Sequence, residues 1–134
     1  MSEDYTERMT SKQTGDLGET IACTFLRRKG HSIMERNYRK AWGEIDIIAE
    51  RAGVVHFIEV KSVTRIGLPD VSRENNDYRP EEQVHPKKLE KISRTAETYM
   101  AEREDGREYQ IDVVAIFLDP ARRQARCRLY ENVS

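Results

Sequence analysis

With 134 residues the chain has room for one compact domain built on one core. Charged residues make up 35% of it against 37% apolar, so a small core under a heavily charged surface is expected. A formal net charge of −1 argues against a protein that coats nucleic acid through a global positive field.

Lys and Arg nevertheless come in clusters, at Arg27-Arg28-Lys29, Arg39-Lys40, Lys87-Lys88 and Arg122-Arg123. Each reads first as solvated surface. No signal peptide is evident and no apolar run approaches the length of a membrane span. Cys23 and Cys127 have no Cys-x-x-Cys or Cys/His neighbour, which argues against a zinc site. The expectation is a cytoplasmic protein with two reduced thiols and no membrane contact. His31, His56 and His85 are scattered and are assigned no catalytic role.

Residues 1–10 are polar and lack apolar periodicity, which predicts a loose tail before a single domain over 11–134. A helix is predicted from Ser11, with Leu17, Ile21 and Phe25 at four-residue spacing and Ala22 and Leu26 widening the buried face. Gly30 stands where a C-terminal cap belongs. Glu19 falls about 20° beyond Leu26 on the helical wheel, at the border of that face. Ile33 to Tyr38 reads as a strand, Trp42-Gly43 as a turn, and residues 43–50 and 54–61 as a hairpin across Arg51-Ala52-Gly53.

Residues 64–82 carry Gly67, Pro69, Asn75, Asn76 and Pro80 and few apolar residues, which predicts a long connection and the place to look for specificity. Pro86 opens a second helix with Leu89, Ile92, Ala96, Tyr99 and Met100 on one side. Ile111 to Leu118 is an apolar strand closed by Asp119-Pro120, and Arg126 to Tyr130 a weaker last strand. The order αβββαβ(β) predicts an α+β or mixed α/β fold, with helices packed on a central sheet.

The chemistry concentrates in two strands, Gly43-Glu44-Ile45-Asp46-Ile47-Ile48-Ala49 and Glu59-Val60-Lys61. A carboxylate among isoleucines is costly unless something compensates for it. Glu59 and Lys61 are two residues apart and share one strand face. A hairpin would bring Asp46 alongside them. Two carboxylates and a lysine on one sheet face suit a hard divalent cation beside a phosphate, as in a metal-dependent phosphodiesterase. The plainer reading is an ion-pair network at a sheet edge. Asp112, opening an apolar strand, is read as structural, capping a turn or pairing with an Arg. Core packing is preferred over base stacking for Tyr38 and Trp42.

With these segments in this order, the chain resembles the YraN family, within the PD-(D/E)XK nuclease-like superfamily. The resemblance rests on Lys12-Gln13-Thr14-Gly15-Asp16 with Gly18-Glu19, on Gly43-Glu44-Ile45-Asp46-Ile47-Ile48-Ala49 and on His56-Phe57-Ile58-Glu59-Val60-Lys61. Lys88 in the second helix and Asp112-Val113-Val114 complete it. It implies a restriction-endonuclease-like fold whose sheet presents Asp46, Glu59 and Lys61, with Glu19 arriving from the first helix. Ile45 stands where the superfamily nominally has Pro, and Leu89 where Gln often follows the helical Lys.

On this reading Asp46 and Glu59 bind Mg²⁺ or Mn²⁺, with the Val60 carbonyl as a third ligand and Glu19 serving a second cation or a water. Lys61 holds or polarises the attacking water. Glu44 is the reserve carboxylate, and Lys88 meets the scissile or an adjacent phosphate. The expected partner is nucleic acid, DNA above all, in branched or single-stranded form. A homodimer would suit a cutter of two strands. The alternative is a catalytically inactive nucleic-acid-binding or protein-interaction module on the same fold.

Overall fold

A computed structural model describes residues 10–64, 84–119 and 121–133. The chain forms α1 (Ser11–Arg28), β1 (Ser32–Lys40), β2 (Gly43–Arg51), β3 (Val54–Thr64), α2 (Pro86–Glu102), β4 (Tyr109–Asp119) and β5 (Gln124–Tyr130). The strands make one mixed sheet in the order β1-β2-β3-β4-β5. β1, β2 and β3 form an antiparallel meander, β4 joins parallel to β3, and β5 returns antiparallel. A parallel neighbour requires a crossover, and α2 lies in it. This is an α+β, restriction-endonuclease-like architecture with one helix on each face of the sheet.

Each helix covers its own apolar cluster. Ala22, Cys23 and Leu26 of α1 pack on Ile47, Ala49, Ile58, Val114, Ile116 and Leu118. Ile92, Ala96, Tyr99 and Met100 of α2 pack on Tyr38, Ile45, Ile48, Val55, Phe57 and Ile111. Pro86 at the first turn opens α2, as its spacing predicts. The Ala52-Gly53 turn joins β2 to β3 with both residues at positive φ, the hand that suits a two-residue hairpin.

Three sequence expectations are corrected. Thr10, assigned to the tail, is the N-cap of α1: its hydroxyl accepts from Gln13 N at 3.1 Å, and Thr10 N donates to Gln13 Oε1 at 2.9 Å. Leu17, assigned to the core, is 39% exposed, because the buried stripe runs through Gly18, Ala22, Cys23 and Leu26. At Gly18 a β-carbon would stand 2.3 Å from Ser62 Oγ, so the missing side chain leaves room for the Ser62 hydroxyl of β3. The β2–β3 ladder does not run the whole predicted hairpin and ends at Ile47↔Ile58. The predicted tail over residues 1–9 and nearly all of the 64–82 connection lie outside the described residues. Among the described residues, no helix is long and apolar enough to cross a membrane.

Candidate active site

The early end of the β2–β3 ladder creates the site. Carrying its register one step further sets Asp46 across from Glu59. The backbone ladder stops there, and the Asp46 side chain takes over: its Oδ2 accepts from Val60 N at 2.8 Å. Ile45 and Ile48 both belong to the α2-side cluster although three residues apart, so the pleat of β2 is broken between them. That break leaves Glu44 and Asp46 facing the same cleft as Glu59.

The cleft, of ≈ 480 Å³, has an acidic wall and a basic wall. Gly43, Glu44, Asp46 and Glu59 come from the sheet, and His85, Lys87, Lys88 and Lys91 from the start of α2. Gly43 lets the two walls meet, since a β-carbon there would lie 2.7 Å from Thr95 Oγ1 and 3.4 Å from the Lys91 carbonyl. His85 caps α2, its Nδ1 accepting from Lys87 N at 3.1 Å.

Glu59 is buried, and Lys88 Nζ reaches its Oε1 at 2.5 Å. Burial pushes the Asp46 carboxyl up to about 7, helped by the charge of Glu59 and opposed by the Val60 hydrogen bond. For Lys88, burial lowers the pKa, but the hydrogen bond to Glu59 and the neighbouring carboxylate charges outweigh it and the net shift is upward. Three carboxylates, Glu44, Asp46 and Glu59, thus face three lysines across the cleft, and Asp46 is the one that burial keeps from ionising freely. A bound dication would favour its charged form.

The remaining sequence candidates are spread around this core. Lys61 shares the Glu59 face of β3 by strand alternation and is half-buried, but it is not among the residues lining the cleft. The Val60 side chain packs on the α1 side, while its backbone meets Asp46. Glu19 also stays outside the cleft lining and stands 3.6 Å from Arg36. Its Oε1 is buried without a hydrogen-bond partner, and its charge is felt at Asp46. Glu44 pairs with Arg39 at 3.1 Å. His85, Lys87 and Lys91 were not legible as cleft residues: nothing local in a basic helix start says which side of it meets a carboxylate.

A second polar cluster lies on the α1 side of the sheet. Ligand atoms of His56, Asp112 and Glu131 come within 4.8 Å of one another. Their bonds are already made: His56 Nδ1 donates to Asp112 Oδ2 at 2.6 Å, and Asp112 Oδ1 accepts from Gln110 Nε2 at 2.8 Å and Asn132 N at 2.9 Å. Glu131 takes Arg51 at 2.9 Å. Asp112 is thus structural as expected, but its partner is a histidine and not an arginine. Tyr38 is a core residue whose hydroxyl donates to Glu102 at 2.5 Å.

Comparison with known proteins places these residues in a wider set. A profile of the uncharacterised protein family UPF0102 matches residues 18–116. A UPF0102 protein of Campylobacter jejuni is 41% identical over 102 residues, covering 76% of this chain and 81% of its own. One from Helicobacter hepaticus is 33% identical over 126 residues, 94% of this chain and 98% of its own. One from Persephonella marina is 39% identical over 103 residues, 76% and 81% respectively.

Proposed function

The chain belongs to the uncharacterised protein family UPF0102, and from its cleft we infer a divalent-metal-dependent nuclease that hydrolyses phosphodiester bonds in DNA. The observation that carries this reading is the pair of half-buried Asp46 and buried Glu59, set across a ladder that stops at Ile47↔Ile58 and facing a wall of lysines. Burial first and the Glu59 charge second raise the Asp46 pKa, so the ionised pair is unfavourable without a cation.

Mg²⁺ or Mn²⁺ would be held by Asp46 and Glu59, with the Val60 carbonyl beside them and Glu19 as an outer carboxylate. When bound, such an ion neutralises phosphate charge and acidifies a water. Lys88 moves from Glu59 to the phosphate as the carboxylate finds its new partner. Lys61 orients the water from the neighbouring position on β3. Glu44, tied to Arg39, adds negative charge at the rim and limits how far the phosphate enters.

The test is a cleavage panel with Mg²⁺ or Mn²⁺ on plasmid, linear duplex, single strand, flap, four-way junction and RNA. Wild type is expected to cut and Asp46→Ala to be inactive; cutting that survives Asp46→Ala refutes the assignment. A second reading, a nucleic-acid-binding or partner-binding module without chemistry, draws on the Lys88–Glu59 contact, in which an ammonium already serves the carboxylate. Affinity without cleavage, unchanged by Asp46→Ala, selects that module.

A further inference from the structure

We propose that Trp42, Lys87, Lys91 and Arg94 form a track for single-stranded nucleic acid leading into the carboxylate cleft. The assignment rests on the nuclease reading and specifies which form of nucleic acid the site takes. Lys87, Lys91 and Arg94 stand at i, i+4 and i+7 on α2, within about 60° of one another around the helix. All three are exposed, and Lys87 and Lys91 line the cleft itself. Among the described residues, none of the three is paired with a carboxylate. The first turn of α2 carries no acidic residue and two lysines, the arrangement the positive end of a helix disfavours. Lys87 at that end, with Lys91 four residues on, does not stabilise the helix that bears it. The stripe matches a polyanion.

Trp42 turns this charge into a preference. It sits in the β1–β2 turn next to Gly43, at the far end of the stripe, with the Arg94 guanidinium over its ring at 4.3 Å from the centroid. The guanidinium covers one face of the indole, and its own outer face, exposed to solvent beside the accessible part of the ring, is a platform of the kind on which unpaired bases stack. Trp42 is half-buried with Nε1 out of contact with solvent, so the ring is anchored in the fold while part of it stays accessible. Base faces inside a duplex are covered by their neighbours, so a stacking platform favours a single strand.

Trp42 is the only tryptophan in the chain, so its fluorescence reports on this surface alone. Wild-type protein in EDTA is titrated with oligothymidylate, with a duplex of equal length, and with inorganic polyphosphate as a charge-only probe. Saturable quenching by oligothymidylate is expected, with binding roughly tenfold tighter than for duplex and little quenching by polyphosphate. Trp42→Leu, followed by anisotropy of a labelled strand, should lose about tenfold in affinity, and Trp42→Tyr much less. Circular dichroism verifies that each variant is folded. Replacing Lys87, Lys91 and Arg94 by Gln should lower the slope of log affinity against log salt by about 2. Duplex bound as tightly as single strand, no binding, or quenching matched by polyphosphate would overturn the track. Cleavage assayed separately keeps the two claims apart. Quenching without cleavage removes the nuclease and leaves the track, and cleavage with a silent Trp42 does the reverse.

Discussion

Lys88 on α2 and Glu59 on β3 meet at 2.5 Å, an ammonium from the basic wall closed onto the carboxylate of the acidic one. The Glu59 side chain is 7% exposed and that of Lys88 46%, so the carboxylate is fixed in the sheet and the lysine approaches from solvent. Of the two, Lys88 is the one free to leave.

Replacing Lys88 therefore separates binding from turnover. In the metal-free protein its ammonium competes with any cation for Glu59, so Lys88→Met is expected to bind Mn²⁺ several-fold more tightly, by roughly 1 kcal/mol for a partly exposed pair. The same substitution removes a positive charge from the phosphate and should lower the cleavage rate. Calorimetric titration and a single-turnover assay on one preparation give both signs. Weaker Mn²⁺ binding by the variant would show that Lys88 supports the cation site and does not compete with it.

Asp46 makes stability depend on pH. Its carboxyl holds a proton to about pH 7 in the fold, whereas an unfolded chain releases it near pH 3.9 (about the ordinary Asp value). Between those limits the folded state binds the extra proton, so the penalty of the buried charge grows as pH rises and is complete above about 7. Below about pH 4 it is gone. Asp46→Asn keeps an acceptor for Val60 N and carries no charge. It should be more stable than wild type at pH 8 by an amount of order a few kcal/mol, with the gain fading toward pH 4. Urea unfolding of both proteins without metal, at pH 4.5 and pH 8, checks this; a pH-independent difference would contradict it.

Gly43 is required by the approach of α2 to β2. Thr95 is fully buried and its Oγ1 donates to the Lys91 carbonyl at 2.6 Å, so it cannot turn away from a new methyl without losing that bond. Gly43→Ala should cost about 1–3 kcal/mol and push Lys88 and Lys91 off the acidic wall. In a Thr95→Ala background the same change should cost much less, since the contact is removed. Unfolding of the four proteins of this cycle measures the coupling, and strict additivity would deny the contact its role.

Much of this was legible from the sequence, and the misses have physical causes. Strong local signals located the elements: Pro86 before an apolar stripe, Ile111 to Leu118 as an apolar run interrupted only by Asp112, and Gly53 in the turn between two apolar segments. Asp46 and Glu59 were legible because strand residues this apolar rarely carry an unexplained carboxylate. The α1 face was misjudged because the spacing of Leu17, Ile21 and Phe25 outweighed small residues, while close packing on Ser62 favours Gly18. The break in β2 between Ile45 and Ile48 has no sequence signature, as both are ordinary strand residues. Pairing of His56 with Asp112 joins residues 56 positions apart, and only the parallel register of β3 and β4 brings them together.

The most direct measurement is a Mn²⁺ titration of wild type, Asp46→Asn and Glu59→Gln at pH 8, read by the loss of the free-ion spin-resonance signal. Saturable binding to wild type and at least a tenfold loss in each variant are expected, since each substitution removes one carboxylate ligand from the Asp46–Glu59 pair. Wild-type protein that takes up no Mn²⁺, or variants that bind as tightly as wild type, would contradict this expectation.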